Sequence, residues 1–389
     1  MEDAGFPADR TALQEVKDRR SQYTVSYAAD NSPYYTDLLE RGAAADVESA
    51  ADLSRLPVTT EDDVRQHQPP ETDRFLFRVP SVPVRRPFHT SGSTGQPKVL
   101  FYSHDDIARM NRSDARALQL CGISGDDVVA NYAPYAGLNI SHFEIEGAVD
   151  MLGASSVPIA QTRYPADVEY RLLERYGATA MTSLPSVLEA KAHKLLDAGH
   201  DPAELPIAQL VIGGEPVSDA RKERLHTLFG AEVQEIYATS ETGIMGYSCP
   251  ACGNTHILED RIHVDVVDED GEDVEPGEEG QVVVTKLVPV DEDTAMPLVR
   301  YHNGDVARLE RRDDCDHGTP GTTALTDITR DGWKTSLAGV EIDPATFERL
   351  LYDADTERQI TGFQLTVGYD DADRIDRLTV SVETRDEEA

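Results

Sequence analysis

Residues 89–98 read His-Thr-Ser-Gly-Ser-Thr-Gly-Gln-Pro-Lys, a run of hydroxyls and glycines that closes on one of only seven lysines in the chain. Gly92 and Gly95 carry no Cβ, so the backbone can turn sharply there and aim its N–H groups at an anion. Thr90, Ser91, Ser93 and Thr94 add hydroxyl donors, and Lys98 adds a mobile positive charge. That combination suits a polyphosphate. It is not a Walker-type loop, because Lys98 follows Gly95 by three residues and Val99 comes next instead of Ser or Thr. The apolar runs 82–88 and 99–102 on either side read as strands, so the stretch also fits a flexible surface loop. Other residues have to decide.

Three further segments could meet this one. Gly213-Gly214-Glu215-Pro216 ends an apolar run that reads as a strand, the place where α/β sheets bind ligands. Glu235-Ile236-Tyr237-Ala238-Thr239-Ser240-Glu241-Thr242-Gly243 offers an aromatic face, hydroxyls and a carboxylate at another strand end. Pro297-Leu298-Val299-Arg300-Tyr301-His302-Asn303-Gly304-Asp305 ends on a carboxylate able to accept a pair of ribose hydroxyls. Plainer readings stay open: Tyr237 as a core residue, Glu241 as an acid near the start of a helix. Separately, Cys249-Pro250-Ala251-Cys252-Gly253 is a turn that gathers two thiols, His256 follows, and Cys315-Asp316-His317 supplies a second pair. These five are candidates for the four places of a structural zinc.

The elements that must hold these residues can be read from periodicity. Residues 11–45 have near-helical apolar spacing, interrupted by Asn31-Ser32-Pro33. Strand-like runs at 128–132, 156–159, 180–183, 209–213 and 232–237 alternate with helix-like stretches at 144–151, 166–176, 186–198 and 219–229, which predicts parallel α/β layers. From residue 262 the character changes to strands at 262–267 and 280–288, which predicts a mixed or antiparallel β subdomain. Beyond 329 the pattern predicts a strand at 339–342, a helix at 344–352 and strands at 359–368 and 377–383.

The formal net charge is −36, and 29 of the 36 basic residues are arginine. Such a surface repels nucleic acid and anionic membrane, which excludes both as expected partners. The acid is spread along the chain over persistent apolar periodicity, so disorder explains it less well than adaptation to high salt, and a halophilic source is expected. There is no run of 18 apolar residues, and Met1-Glu2-Asp3-Ala4-Gly5 has no signal-peptide core, so a cytoplasmic location is expected. The tyrosine-rich N-terminal helices would suit a homodimer contact or packing on their own large domain.

In order and spacing, the segments at 89–98, 213–216, 235–243 and 297–305 resemble the signatures of the adenylate-forming (AMP-binding) superfamily, with the phenylacetate-CoA ligase-like branch as the best match. Tyr27-Ala28-Ala29-Asp30-Asn31-Ser32-Pro33-Tyr34-Tyr35, Leu56-Pro57-Val58-Thr59-Thr60-Glu61-Asp62 and His256-Ile257-Leu258-Glu259-Asp260 support that branch. The resemblance implies an α/β fold: an N-terminal helical part over 1–80, an ATP- and acyl-binding core with a β subdomain over 81–329, and a small, shortened α+β C-terminal domain over 330–389. It makes Thr90, Ser91, Gly92, Ser93, Thr94, Gly95 and Lys98 a lid over the β- and γ-phosphates of ATP. Gly214, Glu215 and Pro216 line the adenine pocket, Tyr237 stacks on the base, Ser240 contacts phosphate, Glu241 holds Mg²⁺, and Asp305 and Arg330 hold the ribose.

The implied reaction joins a small-molecule carboxylic acid to AMP, with coenzyme A as the usual acceptor. The acid is expected between residues 132–138, His142 and the 182–185 loop, where Tyr132 and Tyr135 would suit a planar substrate. Metal-binding positions of the family match Cys249, His256, Cys315 and His317, with Cys252 as a fifth candidate. The family's late catalytic lysine has no counterpart in 331–389, where Lys334 beside the hinge is the only lysine. That leaves two alternatives: adenylylation of a deazaflavin-type or other acid not destined for coenzyme A, or nucleotide binding without catalysis.

Overall fold

Alternating apolar and amphipathic stretches become strands and helices as their apolar positions are buried, and the helices that follow Asp9, Thr60, Ser103, Ser218 and Asp343 each begin where that side chain caps them. The computed structural model describes residues 6–39, 46–90, 96–135, 138–159, 164–312, 315, 319–333, 335–337, 340–355, 359–370 and 375–384. Two helices open the chain, α1 (Arg10–Asn31) and α2 (Pro33–Leu38), parted at Ser32 as the Asn-Ser-Pro interruption requires. The short α3 (Glu61–Gln66) starts at a Thr60–Asp63 capping box. A hairpin of β1 (Arg86–His89) and β2 (Val99–Tyr102) brackets the Ser/Gly run.

Next comes α4 (His104–Leu120), which periodicity alone did not reveal. Its start is a second capping box, Ser103 with Asp106, and it buries Met110, Ala117 and Leu118. The core then runs β3 (Val128–Asn131), α5 (Ser141–Leu152), β4 (Ser155–Val157), α6 (Ala166–Tyr176), β5 (Ala180–Ser183), α7 (Pro185–Asp197), β6 (Gln209–Gly213), α8 (Asp219–Phe229) and β7 (Glu232–Thr239). Strands β4, β3, β5, β6 and β7 pair in parallel in that order, as the alternation predicted.

The following strands are β8 (Gly243–Ser248), β9 (Thr255–Ile257), β10 (Ile262–Val267), β11 (Glu279–Lys286), β12 (Tyr301–Arg311) and β13 (Thr323–Arg330). Each pairs antiparallel, and β8 pairs with β7. The predicted antiparallel character is therefore present, and it continues the parallel strands without a break in one hydrogen-bonded sheet of eleven strands. That continuity places the turn after β7 beside β12 and β13.

The chain closes with the hairpin β14 (Thr335–Leu337) and β15 (Val340–Ile342), helix α9 (Pro344–Ala354) and the ribbon β16 (Ile360–Asp370) with β17 (Ile375–Thr384). Helix α9 is tied to α7 and α8 by ionic contacts: Arg224 reaches Glu189 at 2.5 Å and Asp355 at 2.9 Å, and Tyr352 donates to Glu189 at 3.2 Å.

Candidate active site

A cleft of about 470 Å³ opens over the ends of β5, β6 and β7. Its lining includes Thr90, Lys98, Gly214, Glu215, Pro216, Tyr237, Ser240, Glu241, Asp305 and Arg330, so all of the described nucleotide-site candidates meet there. Ser91, Gly92, Ser93, Thr94 and Gly95 lie outside the described residues. The base of that stretch is closed by two bonds, Lys98 N–H to Thr90 Oγ1 at 3.1 Å and Thr90 N–H to the Lys98 carbonyl at 3.2 Å.

Lys98 is almost fully buried, and its ammonium has three oxygen partners. They are Glu241 Oε1 at 2.5 Å, Glu61 Oε1 at 2.6 Å and the Tyr301 hydroxyl at 2.8 Å. Glu241 sits in the turn between β7 and β8, not in a helix, and also accepts from Tyr301 at 3.1 Å. Gly243 lets this turn close: its φ is +77°, and a Cβ would lie 2.9 Å from Glu144 Oε1. Burial and the neighbouring Glu241 push the Tyr301 hydroxyl well above its ordinary pKa, so it stays a donor.

Opposite Lys98, Tyr237 donates to Asp305 Oδ2 at 2.7 Å and accepts from Asn303 Nδ2 at 2.7 Å. Arg330 Nη1 donates to Asp305 Oδ1 at 3.0 Å and to the Asn303 carbonyl at 2.8 Å. Gly304, at φ +82°, makes this approach possible, because a Cβ there would lie 3.0 Å from Arg330 Nη1. Burial raises the Asp305 carboxyl above its ordinary range, against the pull of Tyr237 and Arg330. At the third wall, Glu215 takes the Ser186 hydroxyl at 2.7 Å and the Ser186 N–H at 3.2 Å, which anchors the 214–216 segment to the start of α7.

The expected acid-binding residues divide. Ala133, Pro134, Thr182, Ser183 and Leu184 line the cleft. The two tyrosines do not. Tyr132 is fully buried in an apolar cluster with Leu173 and Leu188, and Tyr135 is exposed and packs edge-on to His142. The cleft wall instead carries Glu144 and Ile145 from α5. Sequence reading also missed Glu61, Arg65 and Asn303 as cleft residues, and the buried Tyr301 that holds Lys98 and Glu241. Their signals were the Thr60–Asp63 capping box and the alternating burial of Tyr301, Asn303, Asp305 and Ala307 along β12.

Away from the cleft, Cys249, Cys252, His256 and Cys315 place their ligand atoms within 4.8 Å of one another. Cys249 Sγ lies 3.6 Å from Cys315 Sγ, and Cys252 Sγ lies 3.3 Å from His256 Nε2. Tetrahedral zinc, with bonds of about 2.0–2.3 Å, sets its donors ~3.3–3.8 Å apart, so this quartet fits. His317 lies outside the described residues.

The AMP-binding enzyme family matches residues 39–287. The phenylacetate-coenzyme A ligase of Thermus thermophilus is 29% identical over 306 residues, covering 77% of this chain and 66% of that protein. The Escherichia coli enzyme of the same name is 27% identical, covering 76% of this chain and 67% of that protein. The chain thus spans about two thirds of the length of these relatives. Among solved structures, 2-hydroxyisobutyryl-CoA ligase in the postadenylation state superposes with a TM-score of 0.83 at 19% identity, over 97% of this chain and 80% of that one. Among the described residues no helix is long and apolar enough to cross a membrane.

Proposed function

Because the chain belongs to the AMP-binding enzyme family, on its phenylacetate-CoA ligase-like branch, we propose that it activates a small carboxylic acid with ATP and passes the acyl group to coenzyme A. The carboxylate oxygen attacks the α-phosphorus, the bond from that phosphorus to the bridging oxygen of pyrophosphate breaks, and acyl-AMP forms. The thiol then displaces AMP to give the thioester. The observation that carries this reading is one cleft that holds both a buried Lys98 ammonium against Glu241 and an Asp305 carboxylate held by Tyr237 and Arg330.

In this reading Lys98 meets the β- and γ-phosphates and Asp305 takes the ribose hydroxyls, oriented by Tyr237 and Arg330. The base lies between the 214–216 segment and the Tyr237 ring. Glu241 offers the carboxylate for Mg²⁺, which would neutralise phosphate charge as it moves to the leaving group. The chain's own contribution is alignment and fixed charge. Ala133, Thr182, Ser183 and Leu184 shape the acid pocket. The Cys249, Cys252, His256, Cys315 quartet holds a structural zinc that closes β8 and β9 against the segment preceding β13. The acidic surface is an adaptation to high salt in a cytoplasmic protein.

The test is pyrophosphate release from ATP at high salt with a panel of aryl, aliphatic and hydroxy acids, with and without coenzyme A. Acid-dependent release, with thioester only when coenzyme A is present, is the expected result. ATP binding with no turnover on any acid would leave a nucleotide-binding protein and overturn the ligase reading.

A further inference from the structure

Glu61 stands in the cleft with three cations around it, and the reaction above gives it no part. Its side chain is 17% exposed at the first position of α3. Oε1 accepts from Lys98 Nζ at 2.6 Å and from Arg330 Nη2 at 3.2 Å, while Oε2 accepts from Arg65 Nη2 at 2.8 Å. Burial alone would raise this carboxyl, but Lys98, Arg65 and Arg330 together outweigh burial and hold it below the ordinary glutamate range. It is therefore an anion at neutral pH.

Arg65 also lines the cleft, and its Nε donates to the Gln96 carbonyl at 3.3 Å, at the exit of the Ser/Gly run. It also donates to Asp62 at 2.9 Å, so an ordinary ion pair on a helix surface is the competing explanation. Position argues against that. Arg65 on α3, Lys98 just before β2 and Arg330 at the end of β13 converge on the Glu61 carboxylate inside the cleft, an arrangement a phosphate group with several oxygens would satisfy more fully than one carboxylate can.

We propose that Arg65 is a further polyphosphate-binding residue of this cleft and that Glu61 is the internal anion that the β- and γ-phosphates displace. The proposal rests on the ATP reading of the site. Without nucleotide, Glu61 keeps three positive groups close together without mutual repulsion and holds them where phosphate will need them. The cost is competition: ATP must replace Glu61 on Lys98 and Arg65, so Glu61 sets the affinity. AMP has no β- or γ-phosphate and does not reach Arg65.

Calorimetric binding of ATP and of AMP to the wild type, Glu61→Gln, Arg65→Ala and Arg65→Lys, in one high-salt buffer, tests this. Glu61→Gln is expected to tighten ATP roughly three- to tenfold, with little change for AMP. Arg65→Ala is expected to weaken ATP about tenfold and leave AMP binding intact, with Arg65→Lys recovering part of the loss. Intact AMP binding also shows that the variants are folded. Glu61→Gln binding ATP no tighter than the wild type, or Arg65→Ala losing AMP as strongly as ATP, would overturn the inference alone. Failure of the wild type to bind ATP would remove both the inference and the nucleotide reading beneath it.

Discussion

In the cleft, formal charges meet opposite charges from the same chain: Lys98 lies between Glu61 and Glu241, and Arg330 between Asp305 and Glu61. At the Cys249, Cys252, His256, Cys315 quartet, soft donors converge within 4.8 Å with no lysine or arginine among them. The first arrangement is balanced before any ligand arrives, so a ligand enters by exchange and can leave again. On the proposed reading the second gathers groups that bind a metal best when deprotonated, and a cation bound there would become part of the fold. On that reading one region serves turnover and the other permanence.

The largest effect that would break this contrast lies on the permanent side. Metal analysis of freshly prepared protein should find about one zinc per chain, and stripping it with a chelator should cost several kcal/mol of stability. Zinc-free protein with an unchanged melting temperature would remove the distinction. Next, Lys98→Ala should lower acid-dependent pyrophosphate release roughly 10²- to 10³-fold, since it deletes the buried charge proposed to meet the leaving pyrophosphate. Full activity in that variant would show that the cleft's charge balance serves stability only.

A smaller effect is expected from Glu259, which holds the stretch after Cys315 against α1. Its carboxylate pairs with Lys17 of α1 and accepts the Thr322 and Thr323 N–H groups at 2.6 and 2.8 Å, in the stretch that follows Cys315. Burial would raise its pKa, but Lys17 and the N–H donors outweigh burial and lower it from 4.5 to about 2. A carboxyl depressed in the folded state stabilises fully above its unfolded value of 4.5, and that contribution, roughly 3 kcal/mol, fades as pH falls toward 2. Urea midpoints from pH 6 down to pH 3 should fall less steeply in Glu259→Gln than in the wild type. Equal slopes would mean that this pair does not hold the segment. The smallest effect belongs to Tyr301→Phe, which removes a hydroxyl that accepts from Lys98 and donates to Glu241 and should reduce turnover about fivefold. A rise in turnover would show that the hydroxyl restrains Lys98 instead of placing it.

How far the sequence could be read follows from the length of chain each feature needs. The parallel strands and their helices were legible because apolar period is a property of ten or so residues. Helix α4 was missed by period but is marked by Ser103 and Asp106, three positions apart. Asp305 and Arg330 were placed by resemblance, whereas the strands that carry them, β12 and β13, were not predicted. Tyr132 and Tyr135 were assigned to the acid pocket by residue type, and packing sends one into the core and the other to the surface. Residue type cannot tell which side of a backbone faces a cavity.

The sequence by itself determined the family signatures, the α/β alternation, the change to antiparallel strands and the identity of Lys98, Glu241 and Asp305 as cleft residues, because each is written in a short window. Only the tertiary structure decided that Glu61 shares Lys98 with Glu241, that Arg330 spans Asp305 and Glu61, and that Cys252 joins Cys249, His256 and Cys315. Apart from the neighbouring Cys249, Cys252 and His256, those contacts join residues tens to hundreds of positions apart, and the burial that gives them their strength exists only once the sheet of eleven strands has formed.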